Sequence, residues 1–99
     1  MSEAIPTIQY ETAAVRATQW EIPPGAATGP HVHEYDYVVV PLTDGVLTVT
    51  DPHGNAVDAP ITVGGTYGRS AGTDHNVAND TDQTIVFVEV ELLDHGIPD

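Results

Sequence analysis

Two closely spaced histidines are the residues in this sequence best suited to metal chemistry. His31 and His33 are separated by one valine within the stretch from Gly25 to Tyr37. In an extended strand both side chains would face the same way, with Cα atoms roughly 6.5 Å apart, so that both imidazoles could bind one ion. Two surface histidines on an edge strand would show the same spacing, and the pair alone does not decide between these interpretations.

A second stretch places another histidine at the end of a strand-turn-strand pattern. It contains, in order, Gly64, Ser70, Gly72, His75 and Asn79. The chain has no cysteine, so thiolate metal sites are excluded and any metal must be held by nitrogen and oxygen donors. His75 is therefore a candidate third ligand.

Together the two stretches resemble the paired motifs of the cupin superfamily. Those motifs read Gly-x5-His-x-His-x3-Glu-x6-Gly and Gly-x5-Pro-x-Gly-x2-His-x3-Asn. The matching positions are Gly25, His31, His33 and Gly45 in the first motif, and Gly64, Gly72, His75 and Asn79 in the second. The resemblance implies an all-β fold, a double-stranded β-helix or jelly-roll barrel, with one divalent metal ion on His31, His33 and His75.

Three positions depart from these motifs. Tyr37 stands where the family usually places a glutamate ligand, Gly45 comes one residue late, and Ser70 replaces the proline. By strand alternation Tyr37 would face the metal with the histidines, whereas Glu34 and Asp36 would face away. A similar three-histidine site occurs in cupin-type dioxygenases that act on thiols and diketones, so the resemblance still implies metal binding.

A site of three neutral imidazoles leaves the ion with its full double charge. Such an ion polarises a bound water strongly and favours an anionic or bidentate ligand at its open positions. Imidazole suits Zn, Fe, Ni and Cu comparably, so the ligand set does not identify the metal. The family resemblance favours Fe(II) over Zn, Ni, Cu or Mn.

Other polar side chains are candidates for the pocket around this ion. Tyr37 is the candidate catalytic group, as a hydrogen-bond donor or an acid. Tyr35 shares the alternation of the histidines, and Arg69 is suited to binding a substrate carboxylate. Packing explains Tyr35, and an ion pair explains Arg69, at least as well. His53, in a predicted hairpin turn, and His95, near the C-terminus, are not expected to be ligands.

The elements that carry these residues are predicted to be short strands. Turn residues recur about every ten positions and no segment shows a helical period, a pattern typical of a sandwich or barrel. A chain of 99 residues suits one core, so we expect a single domain over residues 1–99, with the first motif at 25–45 and the second at 64–79. The predicted strands are Ala13–Ile22, Pro30–Leu42, Val46–Asp51, Ala56–Val63, Thr66–Ser70, His75–Asn79 and Gln83–Leu93.

The last predicted strand suggests which side chains lie inside the barrel. The even-numbered residues from 86 to 92 are all apolar, whereas the odd-numbered row ends in Glu89 and Glu91. Alternation therefore predicts the even-numbered row inside, with Ile85 and Phe87 on the outer surface. Because an apolar outer patch favours association, we expect a homodimer that pairs through this sheet.

The composition excludes several classes of partner. Fifteen acidic residues against two arginines give a net charge of −13, which repels nucleic acids and anionic membranes. No apolar stretch approaches the roughly 20 residues of a membrane span. The absence of cysteine and of a signal-peptide pattern predicts a cytoplasmic protein.

These features predict a metal-dependent enzyme that acts on a small molecule, with an Fe(II) dioxygenase as the first hypothesis. Two alternatives stay open. A non-catalytic module would bind a metal or a small ligand, and a metal-assisted isomerase or lyase would use the same site without oxygen. The fold alone does not choose between them, because this architecture hosts many functions.

Overall fold

A computed structural model describes residues 3–93 and places nine short strands in this range. Their bounds are β1 Ile5–Glu11, β2 Val15–Ile22, β3 His31–Val32, β4 Tyr37–Pro41, β5 Gly45–Thr50, β6 Ala56–Ile61, β7 Tyr67–Arg69, β8 Asp74–Ala78 and β9 Ile85–Leu92. The strands are rich in valine, isoleucine, threonine and tyrosine, and turns of glycine, proline and aspartate separate them. The described part of the chain contains no helix long and apolar enough to cross a membrane.

The strands form two sheets in which all neighbouring pairs are antiparallel. One sheet has the order β1-β2-β9-β4-β7, and the other has the order β3-β8-β5-β6. From β6 onward each successive strand lies in the opposite sheet, as in a double-stranded β-helix. The all-β jelly-roll prediction is therefore confirmed.

Two regions differ from the predicted strands. Pro30–Leu42 is not one strand, because residues 33–36 form a connection between β3 and β4. The side chain of Asp36 holds this connection by accepting a hydrogen bond from the backbone N–H of Ala71 at 2.7 Å. The edge strand β1 was not among the strands predicted from the sequence. Its side chains are exposed along its whole length, so it lacks the alternation on which a sequence prediction depends.

The face assignment of the last strand was wrong. Ile85 and Phe87 are 0% and 3% exposed and lie in the core, where Ile85 pairs across the sheet with the fully buried Ile22. Glu89 and Glu91 continue this inward row, because every second residue of a strand faces the same side. The even-numbered valines of β9 are half-buried and face outward. The prediction from alternation failed because the outward-facing row of β9 is entirely apolar, whereas the inward-facing row ends in two acids.

Candidate metal centre

The three histidines meet because two strands align them. In the pairing of β3 with β8, His31 lies directly opposite His75. His33 follows β3 and is fixed by its backbone, whose N–H donates to the carbonyl of Thr73 at 2.9 Å and whose carbonyl accepts from the N–H of Gly72 at 2.8 Å. Gly72 has a φ of 91°, which a glycine adopts without strain, and it closes the turn that leads to His75.

The Nε2 atoms of all three rings converge on one point. Nε2 of His33 lies 3.0 Å from Nε2 of His31 and 3.1 Å from Nε2 of His75. Nitrogen ligands held about 2.1 Å from one ion at right angles would lie roughly 3.0 Å apart. The observed spacing thus fits three ligands on one face of a coordination shell. Within the described residues, these three histidines form a group that could hold a metal ion.

The tautomer of His31 supports this arrangement. Its Nδ1 lies 2.8 Å from the carbonyl oxygen of Gly29. Because a carbonyl only accepts, Nδ1 must carry the proton, and Nε2 of the neutral ring presents a lone pair toward the other histidines. Metal-bound histidines are commonly oriented in this way by a hydrogen bond from the opposite ring nitrogen. The donor set therefore fits a divalent cation.

His33 and His75 are kept neutral by their surroundings. Burial, with smaller contributions from the neighbouring rings of His31 and His75, lowers the pKa of His33 to about 4. Burial also lowers the pKa of His75 to about 4, with added contributions from His31 and Arg69. Neutral imidazoles are the form that binds a metal.

Tyr37 occupies the position where the first motif usually has glutamate. It is 2% exposed, and its ring stacks on the ring of His33 with centroids 3.9 Å apart. Its buried hydroxyl has no hydrogen-bond partner in the described part of the chain. Burial raises the pKa of this phenol, so it stays protonated at neutral pH. Glu34 and Asp36 do not join the three-histidine group.

Three spaces adjoin the histidines. One of them, of about 390 Å³, lies between His75 and the turn that contains Pro52 and Gly54. The inner cavity, of about 40 Å³, lies within the barrel against His75, and its wall includes Tyr37, Tyr67, Arg69 and Glu89. The outer hollow, of about 280 Å³, lies against His31 and His33, and its wall includes Thr18, Trp20, Glu34, Glu89 and Glu91. Glu89 is part of the wall of both the inner cavity and the outer hollow.

Sequence reasoning missed Glu89. It pairs across the sheet with Thr18 of β2 and Val39 of β4, whose side chains are buried. The pKa of Glu89 is raised to about 7, mainly by burial and also by the charge of Glu91, while a hydrogen bond from the indole N–H of Trp20 partly opposes the shift. The sequence feature that could have indicated this residue is the pair of acids, Glu89 and Glu91, in an otherwise apolar strand.

The remaining predicted residues are spread over the molecule. Arg69 reaches the inner cavity and packs over the ring of Tyr67, with its guanidinium carbon 5.0 Å from the ring centroid. Tyr35 lies in the connection between β3 and β4 and is half-buried, and it is not part of the wall of any of the three spaces. His53 is exposed in the turn between β5 and β6. His95 lies outside the described residues.

Comparison with known proteins identifies the family. A family model described as "Cupin domain" matches residues 18–91. This chain belongs to the cupin family. The "Beta-alanine degradation protein BauB" of Pseudomonas aeruginosa is 49% identical to this cupin over 90 residues, which cover 91% of this chain and 94% of that protein. The family expected from the two motifs is therefore confirmed.

Solved structures agree with this assignment. A cupin domain from Bordetella pertussis is 47% identical, with a TM-score of 0.87 and coverage of 91% of this chain and 93% of the other. A conserved protein with a double-stranded β-helix domain from Klebsiella pneumoniae is 20% identical, with a TM-score of 0.76 and coverage of 94% and 79%. At this low identity the second likeness supports the fold alone.

Proposed function

We propose that this cupin is a metal-dependent enzyme of small-molecule metabolism, with an Fe(II)-dependent dioxygenase reaction as the activity to test first. The observation that carries the proposal is the convergence of the Nε2 atoms of His31, His33 and His75, at separations of 3.0 and 3.1 Å. A divalent ion bound there would supply Lewis acidity and open coordination positions, and Fe(II) would add the capacity to react with oxygen.

The side chains around the centre would bind the substrate and control its protons. Tyr37 keeps its proton at neutral pH and can donate a hydrogen bond to a bound substrate oxygen. Arg69, on the same wall, can attract a substrate carboxylate. The apolar inner wall, which includes Val39, Leu47 and Phe87, restricts the water that reaches the cavity.

The size of the inner cavity and the similarity to the Pseudomonas protein support a small substrate. A cavity of about 40 Å³ has room for roughly three water-sized groups. The name of the Pseudomonas protein refers to the degradation of beta-alanine, a three-carbon amino acid. We therefore propose a short amino acid, or a short carboxylic acid related to one, as the substrate class.

Metal analysis of protein purified without an affinity tag tests the site. We expect one ion per chain in the wild type and almost none in a His31→Ala, His75→Ala double variant, because one remaining imidazole cannot hold the ion. A His53→Ala variant is the control, because it removes an exposed histidine that is not part of the three-histidine group. This variant should keep the full metal content. Full stoichiometric metal in the double variant would rule out the site.

Oxygen uptake by the Fe(II)-loaded protein tests the reaction. The substrates to screen are thiols, diketones and short acids, with beta-alanine among them. Substrate-dependent uptake that the double histidine variant lacks would support the dioxygenase. Turnover without oxygen would replace it with an isomerase or lyase, and metal binding without any turnover would indicate a binding module.

A further inference from the structure

Glu89 is a half-buried acid that forms no ion pair within 4 Å in the described part of the chain. Among the described residues, the ion pairs within 4 Å are those of Arg16 with Glu11 at 2.9 Å and with Glu91 at 3.2 Å. Glu89 takes part in neither, although it lies on the same inward row as Glu91. Burying a carboxylate without a cation is unfavourable, because the group loses its hydration and gains no compensating attraction.

A second group on the same wall lacks a hydrogen-bond partner. The hydroxyl of Tyr37 is buried without a hydrogen bond, in a side chain that is 2% exposed, and it borders the inner cavity together with Glu89. Buried polar groups are nearly always paired, so a hydroxyl without a hydrogen bond beside a carboxyl group without an ion pair indicates that a ligand completes this wall. The ligand must offer a cation to Glu89 and a hydrogen-bonding oxygen to Tyr37.

We propose that Glu89 binds the ammonium group of a short amino acid whose carboxylate lies toward the histidine cluster and Tyr37. The inference rests on the proposed metal site and goes beyond it by assigning the residue that selects an amine. The charges are arranged for a zwitterion, since Glu89 shares the wall of the inner cavity with His75 and Arg69 and the wall of the outer hollow with His31 and His33. The inner cavity alone is too small for the whole ligand, whereas the outer hollow of about 280 Å³ has room for a short amino acid.

Calorimetric titration of the metal-loaded protein at pH 8 tests this assignment. The ligands are beta-alanine, propionate and propylamine, which share their chain length and differ in their end groups. The wild type should bind beta-alanine at least tenfold more tightly than propionate, because only beta-alanine carries the ammonium group. A Glu89→Gln variant should bind the two acids equally and keep its metal, since glutamine fills the same volume without charge.

Glu91→Gln is the matched control. Glu91 lies two residues away on the same strand and lines the outer hollow, but Arg16 already neutralises it. This variant should keep the preference for beta-alanine within threefold. Equal binding of beta-alanine and propionate by the wild type, or binding of neither, would overturn the proposal.

Two further readouts separate this proposal from the proposed function. Loss of metal in Glu89→Gln would make Glu89 a metal ligand and would overturn its assignment to the ammonium group. A preference for beta-alanine that depends on Glu89, with no turnover under any condition, would support the assignment and remove the catalytic proposal. If the wild type bound no metal, the same titrations of the metal-free protein would still test whether Glu89 makes the protein prefer beta-alanine to propionate.

Discussion

At the scale of single residues, Tyr37 takes the place of an acidic ligand without its charge. A Tyr37→Phe variant removes the one hydroxyl and keeps the ring that stacks on His33. We expect it to retain full metal content and to lose roughly 10- to 100-fold in turnover, because a proton donor near the substrate is lost while the nitrogen ligands are not. Tyr10→Phe, at an exposed tyrosine of β1, should change neither quantity. Coordination by Glu34 or Asp36 in a metal-bound structure would contradict this role.

Glu89 makes a second prediction, on stability. Its pKa is raised from 4.5 to about 7 in the folded chain, so folding favours the protonated form. The stability that this form contributes is present at low pH and is lost as the pH rises through about 7. In metal-free protein, Glu89→Gln should therefore raise the free energy of unfolding by about 1–3 kcal/mol at pH 8 and change it little at pH 5.

Urea denaturation of both proteins at the two pH values measures this difference. The charged and titratable groups that share a space with Glu89 are Glu34, Glu91, Tyr37, Tyr67, Arg69 and the three metal-binding histidines, and Arg16 and Glu21 lie on the neighbouring strand β2. Both proteins carry all of these groups, so the difference in stability between them reports the carboxyl group of Glu89. A variant that is equally stabilised at both pH values would show that packing, not the carboxylate, is responsible.

The metal-binding residues were predictable from sequence and Glu89 was not. His31, His33 and His75 stand at fixed spacings in two motifs, and such spacing survives small errors in the strand bounds. The role of Glu89 depends on which face of β9 is inward. That face is set by the register of β9 with β2 and β4, which no local pattern contains.

At the scale of elements, the predicted strands were correct wherever one face was buried and both ends were marked by turns. β2 and β5 lie within two residues of the predicted bounds, and β9 is contained in the predicted run. β1 was not predicted, because its side chains are exposed throughout and give no alternating pattern. The break between β3 and β4 arises from contacts of Asp36 and His33 with the turn before β8, which are remote in sequence.

Asn79, the last residue of the second motif, joins several elements and gives a third prediction. It is fully buried, and its side-chain amide donates to the carbonyls of Ile22 at 2.8 Å and Gln83 at 2.7 Å, while its oxygen accepts from the backbone N–H of Thr81 at 2.9 Å. Asn79→Ala should lower the free energy of unfolding by about 2–4 kcal/mol, because the buried carbonyl of Ile22 loses its side-chain donor and the other hydrogen bonds of the buried amide are lost with it.

Thermal or urea unfolding checks this value. Asn55→Ala is the control, since Asn55 is exposed in a turn and its side chain bonds only to Asp51, at 3.1 Å, in the described part of the chain. We expect a loss below about 1 kcal/mol there. Equal losses in the two variants would mean that the buried hydrogen bonds of Asn79 do not connect the elements.

At the scale of the whole molecule, the outer face of the five-stranded sheet carries a group of apolar side chains that has no cover within the described chain, with Gln19 and Glu21 of β2 beside it. Its side chains are half-buried in the single chain, and the register of β2, β9 and β4 places them side by side. They are Val15, Ala17, Val38, Val40, Val86, Val88 and Val90. The two acids of β9 point into the barrel, so Glu21 of β2, opposite Val86, is the acid on this face among the residues of β2, β9 and β4.

The size of this face suits a weak pair of identical chains. Four strands, β1, β2, β9 and β4, at a spacing of about 4.8 Å and an average length of about seven residues at roughly 3.3 Å per residue give a face of roughly 440 Å². Two such faces would bury about 900 Å² together, which is below the usual size of a stable specific interface and fits a weak one. Each chain carries a charge of −13, so electrostatic repulsion opposes the contact.

We propose a homodimer in which two copies pack these outer faces together, and salt dependence is its fourth and most direct prediction. Screening shortens the range of the repulsion, so sedimentation at a protein concentration of about 100 µM should show more dimer at 1 M than at 0.05 M salt. Val88→Asp, at the centre of the face, should give a monomer, because an unpaired carboxylate would be buried in the contact. Val57→Asp, at a 62% exposed valine of the other sheet, should leave the dimer intact. A wild-type monomer at both salt concentrations would contradict the proposal and leave this apolar face open to solvent.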